Sequence, residues 1–249
     1  MMPPIIAANW KMHKTIGDAM AFASRLVKDC ADCDDRRIII APPFTALSCV
    51  AEVLKGSTIG LAAQNLSDHE AGAFTGEVSA PMLSDAGCNY VIIGHSERRH
   101  LFGESNTLIN RKLIMARACG LTPLLCIGET EDQRTSSRTF DTITEQINEG
   151  LINISPSDIR NIVFAYEPVW AIGTGNTATP AQAQEVHRFI KEMVADCAGL
   201  SNATDIPVIY GGSVNERTVG ELMAREDIDG ALVGSASLKV ESFIRIIRF

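Results

Sequence analysis

The chain has 249 residues and a formal net charge of −8, from 22 Lys and Arg against 30 Asp and Glu. That length suffices to bury a sizeable core, while the acidic balance argues against nucleic acid or an anionic membrane as partner, because both require a basic footprint. No apolar stretch could span a bilayer, residues 1–6 lack the pattern of a secretory leader, and the seven cysteines follow no disulfide spacing, so a cytoplasmic protein with reduced thiols is expected.

Short Val/Ile/Leu-rich runs alternate with amphipathic segments along the chain. Residues 5–8 read as a strand that delivers Asn9, Trp10 and Lys11, followed by a helix over 18–28. That helix runs into Cys30-Ala31-Asp32-Cys33, a CxxC with no second pair, nearby His or thioredoxin-like context, which reads as structural. Strand 37–41 precedes helix 45–54, and strand 58–63 opens a long loop, 64–77, with Phe74 between Gly72 and Gly76. After helix 79–86, strand 90–93 leads into Gly94-His95-Ser96-Glu97-Arg98-Arg99, then helix 106–119 with Gly120 as its stop. Strand 122–127 and helix 139–151 come next.

Strand 162–166 ends at Glu167, and Pro168 stops it. Trp170 and Ile172 follow, bracketed by Gly173 and Gly175. Large apolar side chains on a Gly-rich loop suit a lid that closes over the carboxylate and excludes water; the alternative is an ordinary loop in which they fill core. Thr179 as N-cap and Pro180 at the first position start a helix over 179–198. Strand 207–210 ends in Gly211-Gly212-Ser213 before helix 215–224, and strand 230–233 ends in Gly234-Ser235 before helix 238–247.

Eight strands, each followed by a helix, in about 250 residues predict a (β/α)8 TIM barrel of eight parallel strands. No linker or charge block divides the chain, so 1–249 reads as a single domain. A doubly wound open sheet would want a GxGxxG after the first strand, where this chain has no glycine. In a barrel, chemistry belongs at the C-terminal ends of the strands. There the sequence collects a carboxylate (Glu167), an imidazole (His95), an ammonium (Lys11) and two Gly-rich turns. Each alone has a bland reading; together at one face they suggest a substrate with a reactive head and a phosphate tail. Glycine allows close backbone approach to phosphate, and helix N-termini offer free N–H groups.

The motifs Asn9-Trp10-Lys11-Met12, Gly94-His95-Ser96-Glu97-Arg98-Arg99, Cys126-Ile127-Gly128-Glu129-Thr130, the stretch from Tyr166 through Glu167 to Gly175, and Tyr210-Gly211-Gly212-Ser213-Val214 occur in one order. In these the chain resembles the triosephosphate isomerase family over essentially its whole length. The resemblance implies a glycolytic and gluconeogenic isomerase that interconverts dihydroxyacetone phosphate and D-glyceraldehyde 3-phosphate without metal or organic cofactor. It implies Glu167 as base, His95 as neutral electrophile, Lys11 as electrostatic stabiliser and Asn9 as a further polar contact. Asn9, Lys11 and the N–H groups of Gly173, Ser213, Gly234 and Ser235 would bind substrate. Pro168, Val169, Trp170, Ala171, Ile172, Gly173, Thr174, Gly175 and Asn176 would form the lid.

Three positions depart from that pattern. Asn176 stands where many members carry Lys at the lid hinge, His13 where Asn is common, and Ser235 where a second glycine is usual. A serine at 235 costs roughly 1 kcal/mol if its φ is positive and nearly nothing if it is negative. The resemblance also implies a homodimer in which loop 64–77 inserts Phe74 and Thr75 into a second copy, with Thr75 reaching toward Asn9 and Glu97 of the partner subunit. The rivals are another phosphate-binding barrel enzyme, which would want a metal-ligand cluster or a Schiff-base Lys, and a non-catalytic barrel, which would be expected to have lost Glu167 or the lid.

Overall fold

The structure, a computed structural model, describes residues 2–172 and 177–249. Strands β1 (Ile5–Asn9), β2 (Arg37–Ala41), β3 (Gly60–Ala63), β4 (Tyr90–Ile93), β5 (Thr122–Ile127), β6 (Val163–Tyr166), β7 (Val208–Tyr210) and β8 (Gly230–Val233) close a parallel barrel in chain order. Each strand is buried on both sides, which is why it reads as a continuous apolar run rather than an alternating one. One set of side chains, including Ile5, Ala7, Ile39, Ile92, Leu124, Ala165, Ile209 and Leu232, forms one buried cluster; the alternate set, including Ile6, Ile38, Val91, Phe164 and Val208, packs in a second, larger one. That is the two-layer arrangement of a filled barrel inside a ring of helices.

The surrounding helices are α1 (Ile16–Asp29), α2 (Leu47–Leu54), α3 (Ala80–Asp85), α4 (Ser96–Leu101), α5 (Asn106–Ala118), α6 (Glu131–Thr135), α7 (Thr139–Gly150), α8 (Pro156–Ile159), α9 (Pro180–Cys197), α10 (Val219–Met223) and α11 (Val240–Ile247). Thr179 caps α9 in a reciprocal box with Gln182, and Thr15 caps α1 with Asp18 in the same way. The short α4, α6 and α8 were not predicted, because a helix of one or two turns shows too little periodicity.

Three helices begin two or more residues later than their sequence suggests, the first being α2, which starts at Leu47 after a 3-10 turn over Phe44–Ala46. The Asn215 side chain accepts the N–H groups of Arg217 and Thr218, so residues there form a side-chain-stabilised turn and α10 starts at Val219. A 3-10 turn over Ser235–Leu238 displaces the start of α11 to Val240. Cys30 caps α1, and it and Cys33 are buried free thiols. Burial, reinforced by the neighbouring Cys33, pushes the Cys30 thiol up to about 12, the reverse of what a redox-active pair needs.

Closure depends on one close approach. Gly230 pairs with Ile5 across the β8–β1 seam at φ 153°, and a Cβ there would lie 1.9 Å from the Ile5 carbonyl oxygen. Gly230→Ala should therefore destabilise the fold by roughly 1–3 kcal/mol, read as a lowered urea midpoint; an unchanged midpoint would show that the seam can spread at no cost.

His187 of α9 is fully buried, stacked edge-on to Tyr166, with Nδ1 3.2 Å from the Asp227 carbonyl. Burial pushes its imidazole down to about 3 from an ordinary 6.5. Between these values the unfolded chain binds a proton that the folded chain does not, so stability falls as pH drops below about 6.5, by up to about 1.4 kcal/mol per pH unit. His187→Gln should lose less stability than the parent between pH 7 and pH 5 in paired urea titrations. An identical loss would assign the acid sensitivity to other groups.

Candidate active site

At the C-terminal mouth of the barrel lies a cavity of about 290 Å³, lined by residues from the ends of β1, β4, β6, β7 and β8. Glu167 follows β6, and its N–H extends the ladder by donating to the Ile127 carbonyl at 2.8 Å. Its side chain is almost wholly buried. Oε2 accepts the Ser96 N–H at 2.8 Å, and Oε1 lies 3.1 Å from His95 Nε2. Gly211 makes room for it, since a Cβ there would sit 2.8 Å from Glu167 Cγ.

His95 is the N-cap of α4, and its Nδ1 accepts the Glu97 N–H at 3.2 Å. An accepting Nδ1 carries no proton, so that bond assigns the tautomer with the hydrogen on Nε2, facing Glu167. Behind this turn runs the half-buried Arg99, whose guanidinium donates to the Gly94 carbonyl at 2.8 Å, the Cys126 carbonyl at 3.0 Å and the Asn106 side chain at 2.6 Å. It thereby ties the start of the His95 turn to the end of β5.

Lys11 reaches the same cavity from β1, with a backbone φ of 51° that a side-chain-bearing residue seldom adopts. Two contacts hold it there. The Asn9 side chain accepts the Lys11 N–H at 3.0 Å, and the Gln64 amide donates to the carbonyls of Lys11 at 2.8 Å and Ala41 at 2.9 Å. Lys11 Nζ bonds Glu97 Oε1 at 2.6 Å. Asn9, Lys11, His95 and Glu167 are thus brought together, as expected.

Ser213, Gly234, Ser235 and His13 line the same cavity, and a Cβ at Gly234 would lie 3.8 Å from Lys11 Cε. Gly212-Ser213 was expected to open a helix; it leads instead into the Asn215 turn, so Ser213 sits at no helix N-terminus. Gly234 precedes the 3-10 turn that begins at Ser235 and has no side-chain cap on its first N–H groups. Ser235 is not among the residues with positive φ, so its serine is conformationally silent. Gly173 lies outside the described residues, as do Thr174, Gly175 and Asn176.

Of the expected lid, Pro168 through Ile172 are described. Ile172 and Leu232 both line the cavity near Glu167. Trp170 is partly buried. It occupies a 3-10 turn over Val169–Ala171, packs on the core, and donates from Nε1 to Glu129 Oε1 at 2.9 Å. The same oxygen accepts the Tyr166 hydroxyl at 3.1 Å, with Arg134 at 3.4 Å, and the Glu129 carbonyl accepts the Val169 N–H at 3.0 Å. Glu129 is fully buried and anchors the base of this loop. Arg99, Gln64 and Glu129 were given no role from sequence; Gln64 and Glu129 are polar residues just past the end of an apolar strand, and Arg99 and Glu129 lie inside two of the quoted motifs.

Phe74 is 42% exposed and stacks on His69 of its own loop at 3.9 Å between ring centroids, so it does not fold back into the barrel. Thr75 is exposed beside it.

A family model described as triosephosphate isomerase matches residues 4–249. The chain is 51% identical to a triosephosphate isomerase of Chloroflexus aurantiacus over 249 residues, covering all of both chains. It is 50% identical to that of Geotalea uraniireducens, covering all of this chain and 99% of the relative. Among solved structures it is similar to the crystal structure of triosephosphate isomerase from Bartonella henselae, with a TM-score of 0.89, 37% identity and 98% of each chain covered. Agreement in fold, in length and in half of all residues has one meaning: the chain belongs to the triosephosphate isomerase family.

Proposed function

We propose that the chain, as one barrel domain, interconverts dihydroxyacetone phosphate and D-glyceraldehyde 3-phosphate through an enediolate, with no metal or organic cofactor. The observation that carries this reading is the cluster of Glu167, His95 and Lys11 in one cavity that the Gly234–Ser235 turn also lines. Glu167 takes the proton from the carbon next to the ketone; the C–H electrons form the C=C bond, and the carbonyl electrons move onto oxygen. His95 Nε2–H faces the enediolate oxygens and can carry a proton between them, while the Lys11 ammonium offsets the developing charge. Glu167 then returns its proton to the neighbouring carbon. To act, Glu167 must leave the Ser96 N–H and Lys11 must turn from Glu97, two charge-assisted bonds of about 1.5–3 kcal/mol each. Binding energy from the phosphate end offsets that cost, with Ser213, Gly234, Ser235 and Gly173 as its N–H donors and Asn9 as a polar contact at the reacting end. The loop from Pro168 to Asn176 acts as the lid, and Ile172 with Leu232 keeps water from Glu167.

The working unit in this reading is a homodimer. Phe74, Met12, Leu101 and Phe102 are 42%, 93%, 76% and 67% exposed on one chain, large apolar groups that a second copy would cover.

A coupled assay with glyceraldehyde 3-phosphate in the presence of chelator tests the reaction. Glu167→Asp withdraws the carboxylate by one methylene and should lower kcat by about 10² or more with a far smaller change in KM. Near-normal turnover would remove Glu167 from the role of base. Ser235 is assigned its backbone N–H alone, so Ser235→Gly should leave kcat/KM within about threefold; a tenfold loss would mean that the hydroxyl also holds phosphate.

A further inference from the structure

Lys14 stands three residues beyond Lys11 in the loop after β1, and it too has left-handed backbone, at φ 75°. That region disfavours any residue with a Cβ, and such a conformation persists only where the surroundings over-determine it. Glycine would relieve the backbone, so the lysine side chain must supply something that glycine cannot. It does not line the cavity that holds Glu167. Its Nζ instead donates to the Leu238 carbonyl at 2.8 Å and lies over the rings of Phe22 at 4.7 Å and Trp10 at 5.2 Å. Trp10 is fully buried and packs edge-on against Phe22 at 4.8 Å, so this aromatic seat is fixed.

Leu238 is the last residue of the turn that begins at Ser235, and it lines the cavity itself. The turn is fastened at two places. Within it, the buried Ser237 hydroxyl bonds the Gly234 carbonyl at 2.7 Å, with the Val233 carbonyl at 3.0 Å. At its end, where a helical turn leaves carbonyls without partners, the fastening is Lys14.

We propose that Lys14 is a positioning residue of the phosphate cradle: its ammonium, bonded to the Leu238 carbonyl and braced on Trp10 and Phe22, locks the turn after β8 to the loop that carries Lys11. The distance between the phosphate donors and the reacting groups is then set partly by a side chain that touches neither. This rests on the phosphate-binding role proposed above for Gly234 and Ser235. Losing the ammonium loosens the cradle and weakens phosphate binding more than it slows the chemical step. A lysine serving only to stabilise the fold would change the melting temperature and leave affinity alone.

Lys14→Met keeps the aliphatic stem over the rings and deletes the donor, while Lys14→Arg keeps a cationic donor. For each, kcat, KM for glyceraldehyde 3-phosphate, the competitive inhibition constant of inorganic phosphate and Tm are measured. In Lys14→Met, KM and the phosphate constant should rise together by about five- to tenfold with kcat within about threefold, and Lys14→Arg should restore both to within about twofold of the parent. A fall in Tm with KM and the phosphate constant unchanged would overturn the proposal, as would an Arg variant as impaired as the Met variant. Lys14→Gln, a neutral donor, gives the same comparison if the Met variant does not fold: a rise of about threefold or more in the phosphate constant supports the clamp, and none overturns it. A parent protein that phosphate does not inhibit would overturn the cradle itself, and the clamp with it.

Discussion

The site is organised around a carboxylate held out of water. Glu167 is 2% exposed, and a buried anion must be met by polar groups or it will not stay charged. The Ser96 N–H and His95 Nε2 meet it, and both lie at the end of β4, two strands away. Gly211 at the end of β7 leaves the space. Three strands must therefore end at the same height, in the right order, for one side chain to be tolerated. A closed barrel of parallel strands in chain order provides that, because every strand presents its C-terminal end on one face.

Cationic and anionic groups alternate across this mouth. Glu97 bonds Lys11 and lies close to His95, while Arg99 passes beneath the turn that carries the imidazole. The chain is acidic overall, and the cavity itself sets one ammonium, Lys11, against one carboxylate, Glu167, so the phosphate binding proposed above draws on open N–H groups rather than on net positive charge.

Strand positions were legible in the sequence because two-sided burial leaves unbroken apolar runs, and the strand ends then pointed to Asn9, Lys11, His95 and Glu167. Where polar side chains rearranged the backbone, the reading slipped: Asn215 delayed α10, and the turn held by Ser237 and Lys14 delayed α11. The anchoring of Trp170 was hidden for a related reason. An indole beside glycines suits a lid, but its hydrogen bond to Glu129 depends on a residue 41 positions away, which no local pattern reports. The buried Glu129 and the half-buried Gln64 and Arg99 are equally silent, since a polar residue in sequence reads as solvent-facing.

The thiols carry a consequence for handling the protein. All seven cysteines are free, and Cys30, Cys33, Cys88 and Cys126 are buried, the thiols of Cys30 and Cys88 pushed up to about 12 by the loss of solvent. While the chain is folded, burial keeps these four thiols from an oxidant. On heating, the four buried thiols enter water beside the already exposed Cys197, on one flexible chain, where oxidation by air and then exchange compete with refolding. Inactivation in air then becomes a one-way process whose rate is set by opening of the barrel, while the same chain kept under thiol reductant can return to its starting state.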